Sequence, residues 1–186
     1  MNTVPLVGEP LALDLVNTRA HTPEGELDLL DDEAGFQAWI DAERGRLTPP
    51  HAPIELGALR SLRAHVSDAV EHARVGTPPP PAALAAIGEA QRAAPAHREL
   101  VWADGAVIAS VRRPGDATAR LLAELAEAAA ELLTDPAIGK VHRCEGPDCR
   151  LLFLPAHPRR RWCSPARCGN RVRVARYYQR HRDSAS

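Results

Sequence analysis

Residues 144–171 read CEGPDCRLLFLPAHPRRRWCSPARCGNR and hold all four cysteines of the 186-residue chain. The cysteines form two CxxxxC pairs, Cys144 with Cys149 and Cys163 with Cys168. Four thiolates in two pairs, separated by a stretch of hairpin length, can close tetrahedrally around one ion, which is the coordination that structural zinc prefers. The spacing therefore predicts one structural Zn²⁺ held by the four cysteines.

The alternative for each cysteine is a buried core thiol, but four paired cysteines beside arginines are poor core material. A reducing compartment also favours metal ligation over disulfides. A catalytic zinc ion needs an open coordination position, which four thiolates do not leave. The sequence has no glycine-rich phosphate loop, serine elbow or HExxH helix, so we expect no enzymatic activity.

Charge divides the chain near residue 140. Residues 140–186 carry twelve Lys and Arg against Glu145, Asp148 and Asp183, a net charge of +9, and residues 1–139 carry −10. Such a split indicates a basic module for a polyanion attached to an acidic globular body. A solvated charged helix is the alternative, but the absence of acidic residues between Asp148 and Asp183 favours nucleic acid.

Apolar spacing predicts a mostly helical N-terminal part. Helices are expected over residues 32–44, 54–75, 82–94 and 117–133. Asp104-Gly105 lies between two strand-like runs, 99–103 and 106–112, and predicts a hairpin with a type I′ turn. The apolar run 10–18 suits a strand or a first helix, and periodicity does not decide between them. Thr134-Asp135-Pro136 predicts a boundary before the cysteine module.

The cysteine module has its own local signals. Residues 150–162, between the two pairs, are long enough for two short strands around a turn at 155–158. Ser164-Pro165 predicts the N-cap and first residue of a closing helix, on which Arg173, Arg176 and Arg180 share one side. The candidate nucleic-acid contacts are Arg159, Arg160, Arg161, Asn170, Arg171, Arg173, Arg176 and Arg180. Asn170 is equally a candidate turn or cap residue.

Two stretches resemble known families. Residues 160–164 (RRWCS) and 168–171 (CGNR) resemble the signature of the CGNR zinc finger. Residues 11–18 (LALDLVNT) are similar to the opening of the ABATE domain, which precedes CGNR fingers in stress-induced bacterial transcription regulators. The resemblance implies that the four cysteines are the zinc ligands and that the finger is treble-clef-like. The expected fold is mainly α (α+β), with a helical N-terminal domain (1–138) that carries a small β-hairpin, followed by the finger (139–186).

Together these observations predict a cytoplasmic, zinc-dependent transcription regulator whose basic finger binds DNA. The acidic N-terminal domain would serve sensing or dimerisation, and a single short finger favours a homodimer. An RNA-binding module, a finger used for protein interaction and an unrecognised enzyme in the N-terminal domain are the alternatives.

Two further expectations concern ligands and membranes. Asp14, Asn17 and Thr18 are candidate residues of a pocket for a small-molecule effector, although a capping role for them is favoured. No apolar run approaches membrane-spanning length, so no membrane partner is expected.

Overall fold

The computed structural model describes residues 7–22 and 25–174. Its helices are α1 (Leu11–Val16), α2 (Glu33–Ala42), α3 (Leu56–Ala73), α4 (Pro81–Ala93) and α5 (Ala117–Thr134). Three antiparallel strand pairs accompany them: β1 (Arg19–Thr22) with β2 (Gly25–Asp28), β3 (His97–Ala103) with β4 (Ala106–Arg112), and β5 (His142–Arg143) with β6 (Leu152–Phe153). The expected mainly helical fold with small antiparallel strand pairs is confirmed. Among the described residues, no helix has the length and apolar character needed to cross a membrane.

Side chains cap the starts of two of the predicted helices, α2 and α5. Asp32 Oδ1 accepts a hydrogen bond from Gly35 N at 2.7 Å at the start of α2, and Asp116 Oδ1 accepts one from Ala119 N at 2.8 Å at the start of α5. Each bond satisfies one N–H group that has no partner inside its helix. The run 10–18, which the sequence left undecided, forms α1 rather than a strand.

The apolar faces of these helices pack around one core. Phe36 and Trp39 of α2, Leu59 of α3 and Leu125 of α5 are almost completely buried in it. Each such side chain contributes about 1.5–3 kcal/mol by leaving water. The same core includes Leu152 of β6, so the cysteine module shares apolar contacts with the N-terminal helices.

The β3–β4 hairpin forms as the sequence predicts. Its strands pair from His97 with Arg112 to Ala103 with Ala106. The two turn residues, Asp104 and Gly105, both have positive φ, 51° and 80°. These angles match the twist of the flanking strands in a type I′ turn.

The strands of the cysteine module differ from the prediction. Two strands were expected between the cysteine pairs, but β6 is the only one there, and its partner β5 precedes Cys144. Pro155 and Pro158 follow β6, and proline has no N–H to donate to a strand ladder. The first cysteine pair therefore lies in the turn between β5 and β6. The β1–β2 pair was not predicted at all.

Candidate metal centre

The four cysteine sulfurs lie together in the cysteine module, within 4.8 Å of one another. All four residues are buried, and the Sγ atoms of Cys149 and Cys163 are 4.0 Å apart. Zinc–sulfur bonds of about 2.3 Å place the sulfurs of a tetrahedral site roughly 3.8 Å apart. The cluster can therefore hold one zinc ion with only a small contraction.

Two different local structures present the two cysteine pairs. Cys144 N donates to Leu151 O at 2.9 Å, which extends the β5–β6 pairing into the turn that carries the first pair. The second pair flanks the start of a helix, where Ser164 Oγ accepts a hydrogen bond from Arg167 N at 3.0 Å. Pro165 follows at the first helical position, so the predicted N-cap is confirmed. A π-type turn, Pro165–Gly169, continues as α-helix to residue 174, the last described residue; we call this segment the finger helix.

Gly146 allows the two halves of the site to approach each other. A Cβ atom at this position would lie 2.8 Å from both Cβ and Sγ of Cys168. No real side chain tolerates such distances, so any substitution must push the first cysteine turn away from the finger helix. A glycine here keeps the four sulfurs close together.

Hydrogen bonds to sulfur favour the thiolate form of Cys144. Cys163 N and Gly146 N donate to Cys144 Sγ at 3.2 and 3.4 Å. The contact with the Cys149 thiol, followed by the Cys163 thiol and these backbone donors, lowers the pKa of Cys144 to about 2. The contact between Cys144 and Cys149 also raises the pKa of Cys149, to about 12. A divalent cation can replace the protons that the neighbouring thiols retain.

The centre has a small apolar surround of its own. Leu151, Phe153 and Ala20 of β1 pack with the four cysteines, and Trp162 covers part of this cluster. An apolar surround excludes water from a metal site. Because Ala20 belongs to the N-terminal part of the chain, this small core is not built by the cysteine module alone.

Asn17, at the end of α1, holds β6 by two hydrogen bonds. Its Nδ2 donates to Leu152 O at 2.8 Å, and its Oδ1 accepts from Leu152 N at 2.9 Å. The side-chain amide thus satisfies both backbone groups of Leu152, as a neighbouring strand would. Asn17, a candidate pocket residue for which a capping role was favoured, docks the cysteine module onto the N-terminal helices.

Glu9 makes a second connection to the cysteine module. Its carboxylate accepts from Leu154 N at 2.9 Å and from Arg160 Nη2 at 2.5 Å. Arg160 also donates to the carbonyl oxygens of Trp162 and Cys163, and its guanidinium lies 4.4 Å from the centroid of the Phe153 ring. Arg160, a predicted nucleic-acid contact, is therefore partly buried and bonded to other parts of the protein, where it supports the loop that leads to Cys163.

Asp14 and Glu43 form a buried acidic pair that shares one arginine. Arg46 Nη1 donates to Asp14 Oδ2 at 2.6 Å and to Glu43 Oε2 at 2.9 Å. Burial, followed by the negative charge of Asp14, raises the pKa of Glu43 to about 7. Burial also raises the pKa of Asp14.

The three residues of the predicted effector pocket have internal partners. Asp14 is bound by Arg46, Asn17 by Leu152, and Thr18 Oγ1 donates to Leu15 O at 2.7 Å. All three are buried. Their contacts are those of residues that join elements together.

The other predicted nucleic-acid contacts differ in their exposure and in their bonding partners within the protein. Arg159 is exposed and has no ion pair with a described residue. Arg161 is exposed and pairs with Glu145 at 2.6 Å, and exposed Arg173 donates to Asn170 Oδ1 at 2.7 Å. Arg171 is half-buried and donates to Pro147 O at 2.7 Å and to Cys168 Sγ at 3.5 Å. Arg176 and Arg180 lie outside the described residues.

Sequence reasoning missed a cleft between α1, α3 and the cysteine module. Its volume is about 350 Å³, and its lining includes five arginines: Arg19, Arg60, Arg63, Arg143 and Arg150. Two of these arginines belong to the cysteine module and form ion pairs with the N-terminal part of the chain. Arg143 pairs with Glu71 at 2.6 Å, and Arg150 pairs with Glu26 at 2.9 Å. These partners are 72 and 124 residues apart in sequence, so no local pattern signals them.

Family models match both parts of the chain. Residues 9–136 match the ABATE family, described as "putative stress-induced transcription regulator", and residues 140–181 match the CGNR zinc finger. A comparison with curated proteins gives no match. The first family match covers most of the chain, and the second contains the whole cysteine cluster. The protein therefore belongs to the ABATE family and carries a CGNR zinc finger.

Proposed function

We propose that this protein regulates transcription by binding DNA through its zinc-loaded finger, while the acidic N-terminal domain serves sensing or dimerisation. The observation that carries this proposal is the charge of the finger, where residues 149–182 contain ten arginines and no acidic residue. Phosphate contacts by such arginines supply most of the sequence-independent affinity for DNA. The family match supports a role in regulation, and the nature of the polyanion is inferred from charge.

Three exposed arginines of the finger are available for phosphate. Arg159 has no competing ion pair with a described residue, and the described partners of the Arg173 side chain, Asn170 and Gly169, carry no charge. Among the described residues, Arg161 forms an ion pair only with Glu145, which is itself exposed. Exposed ion pairs contribute little free energy, so a phosphate can displace Glu145. A guanidinium can then donate two parallel hydrogen bonds to one phosphate.

The metal and the two partly buried arginines, Arg160 and Arg171, have a different role from these three. When bound, zinc supplies a fixed link between the turn at 144–149 and the start of the finger helix. Arg171 ties the same two segments through Pro147 O and Cys168 Sγ. Arg160 fixes the approach to Cys163. These groups hold Arg159 and Arg173 in place and are expected to act on DNA binding indirectly.

Selection of zinc-loaded, full-length protein against random duplex DNA, with a parallel RNA pool, tests the proposal. We expect enrichment of a DNA motif. Enrichment only in the RNA pool would instead identify an RNA-binding module. Absence of enrichment in both pools would leave a finger used for protein interaction.

Single substitutions then test the contact surface. Arg159→Ala and Arg173→Ala should each weaken DNA binding and reduce the salt dependence of the binding constant by about one unit of slope, with zinc content unchanged. Arg44→Ala is the matched control, because Arg44 is exposed on the N-terminal part of the chain and its one ion pair with a described residue is to Asp41. Unchanged affinity and slope in both finger variants would exclude this surface.

A further inference from the structure

The β3–β4 hairpin is the most exposed apolar feature of the described residues. Every residue of β4, and every residue of β3 except Ala103, is exposed. The two strands contact each other extensively but make no comparable contact with another described element. An isolated two-stranded hairpin is only marginally stable in water, and it gains stability when one of its faces is covered.

The strand register divides the hairpin into two unlike faces. One face, which we call the hairpin face, carries Leu100, Trp102, Val107 and Val111, with Ala109 between them. Their exposed fractions are 67% for Leu100, 71% for Trp102, 62% for Val107 and 66% for Val111. The opposite face has a single exposed apolar pair, Val101 and Ile108, and is otherwise small or polar.

The size of the hairpin face is that of an interaction site. On the scale of about 150–250 Å² for one aromatic side chain, its four large side chains expose roughly 500 Å² per copy. Monomeric proteins rarely expose a larger contiguous apolar patch without a function for it. Two such faces in contact bury about 1,000 Å², which reaches the lower limit for a specific interface.

The charges at the two ends of the hairpin indicate what covers the face. Arg98 lies on the hairpin face at its base, and Asp104 lies at its tip. Both are exposed, and neither makes an ion pair with a described residue. If two hairpins pack face to face in antiparallel orientation, the tip of one lies over the base of the other. Asp104 of each copy then approaches Arg98 of its partner, and Leu100 packs against the partner's Trp102.

We infer that the hairpin face is a dimerisation surface and that its partner is the same face of a second copy. A two-fold axis satisfies both Arg98–Asp104 pairs at once, as expected for an isologous contact. The inference rests on the dimerisation role within the proposed function, but it does not depend on DNA binding. Its test contains no DNA, so failure of the dimerisation inference would leave the DNA-binding proposal intact, and failure of DNA binding would leave the dimerisation inference intact.

Sedimentation of the zinc-loaded, full-length protein between about 1 and 500 µM tests this inference, because interfaces at the lower limit of size belong mostly to weak, transient complexes. Val107→Glu should raise the dissociation constant of the dimer at least tenfold. Ile108→Glu is the matched control, because Ile108 is the next residue of the same strand and lies on the opposite face. The dissociation constant of the Ile108→Glu dimer should stay within about threefold of the wild-type value. Zinc content and circular dichroism confirm that both variants fold.

A charge test distinguishes the antiparallel arrangement from other dimers. Arg98→Glu should weaken the dimer by placing two acidic residues together, and adding Asp104→Asn should restore part of the loss. Asparagine tolerates the positive φ of 51° at this turn position. The inference would be overturned if the wild-type protein stayed monomeric at 500 µM. It would also be overturned if Val107→Glu did not weaken the dimer more than Ile108→Glu does. No recovery in the double variant would overturn the antiparallel arrangement.

Discussion

Asn17→Ala tests whether α1 holds the finger on the N-terminal helices. Asn17 is 4% exposed, and its side chain makes both the 2.8 Å and the 2.9 Å hydrogen bonds to the backbone of Leu152. Alanine removes both bonds and leaves a buried N–H and a buried C=O without partners. Each such group costs about 1–3 kcal/mol. We therefore expect the free energy of unfolding to fall by roughly 2–4 kcal/mol.

Urea unfolding of the zinc-loaded protein, followed by circular dichroism, measures this loss. Asn17→Asp is a second variant, because it keeps an acceptor for Leu152 N but places a second oxygen opposite Leu152 O. It should lose at least as much stability as the alanine variant. Asn170→Ala is the control, since Asn170 is exposed and its side chain bonds only to Arg173 among the described residues; it should change stability by less than about 0.5 kcal/mol. An Asn17→Ala loss as small as that of the control would refute the docking role.

Three further outcomes are expected. Gly146→Ala should weaken zinc binding at least about tenfold in a chelator competition, because its Cβ would lie 2.8 Å from Cys168 Sγ, whereas Gly139→Ala, with open space around its Cβ, should not. Arg160→Ala should lower both zinc retention and the free energy of unfolding, and equal zinc retention by this variant and by Arg159→Ala would contradict the interior role of Arg160. Glu43→Gln should remove a pH dependence: the pKa of about 7 in the folded protein exceeds the ordinary 4.5, so Glu43 makes the wild type lose stability as pH rises from about 4.5 to 7. Urea unfolding should show that the free energy of unfolding of the variant rises relative to that of the wild type between pH 5 and pH 7. The same difference between the two proteins at both pH values would exclude this effect.

Local patterns in the sequence predicted much of the fold. Apolar spacing located α2 to α5, and Asp104-Gly105 located the β3–β4 turn, because these signals depend on neighbouring residues only. The cysteine spacing likewise predicted the sulfur cluster, and Ser164-Pro165 the start of the finger helix. The helices, the turn and the cap are each decided by neighbouring residues, and the sulfur cluster by the spacing of cysteines within one short segment.

The contacts between the finger and the N-terminal helices could not be predicted in this way. Asn17 and Leu152 are 135 residues apart, and Glu9 and Leu154 are 145 residues apart. A buried side chain that completes another segment's backbone hydrogen bonds leaves no periodic signal. For the same reason Arg160 was grouped with its exposed neighbours, although it points to Glu9 and to the Phe153 ring. The short strands β1, β2 and β5 contain too few residues to show alternation.

The most direct test of the account is to measure DNA binding by one preparation of the protein before and after zinc removal, with the zinc content determined at each step. We expect one zinc ion per chain, loss of DNA binding when a chelator removes it, and recovery on addition of one equivalent of Zn²⁺. DNA binding of unchanged strength by the metal-free protein would contradict the claim that a four-cysteine zinc site builds the DNA-binding surface.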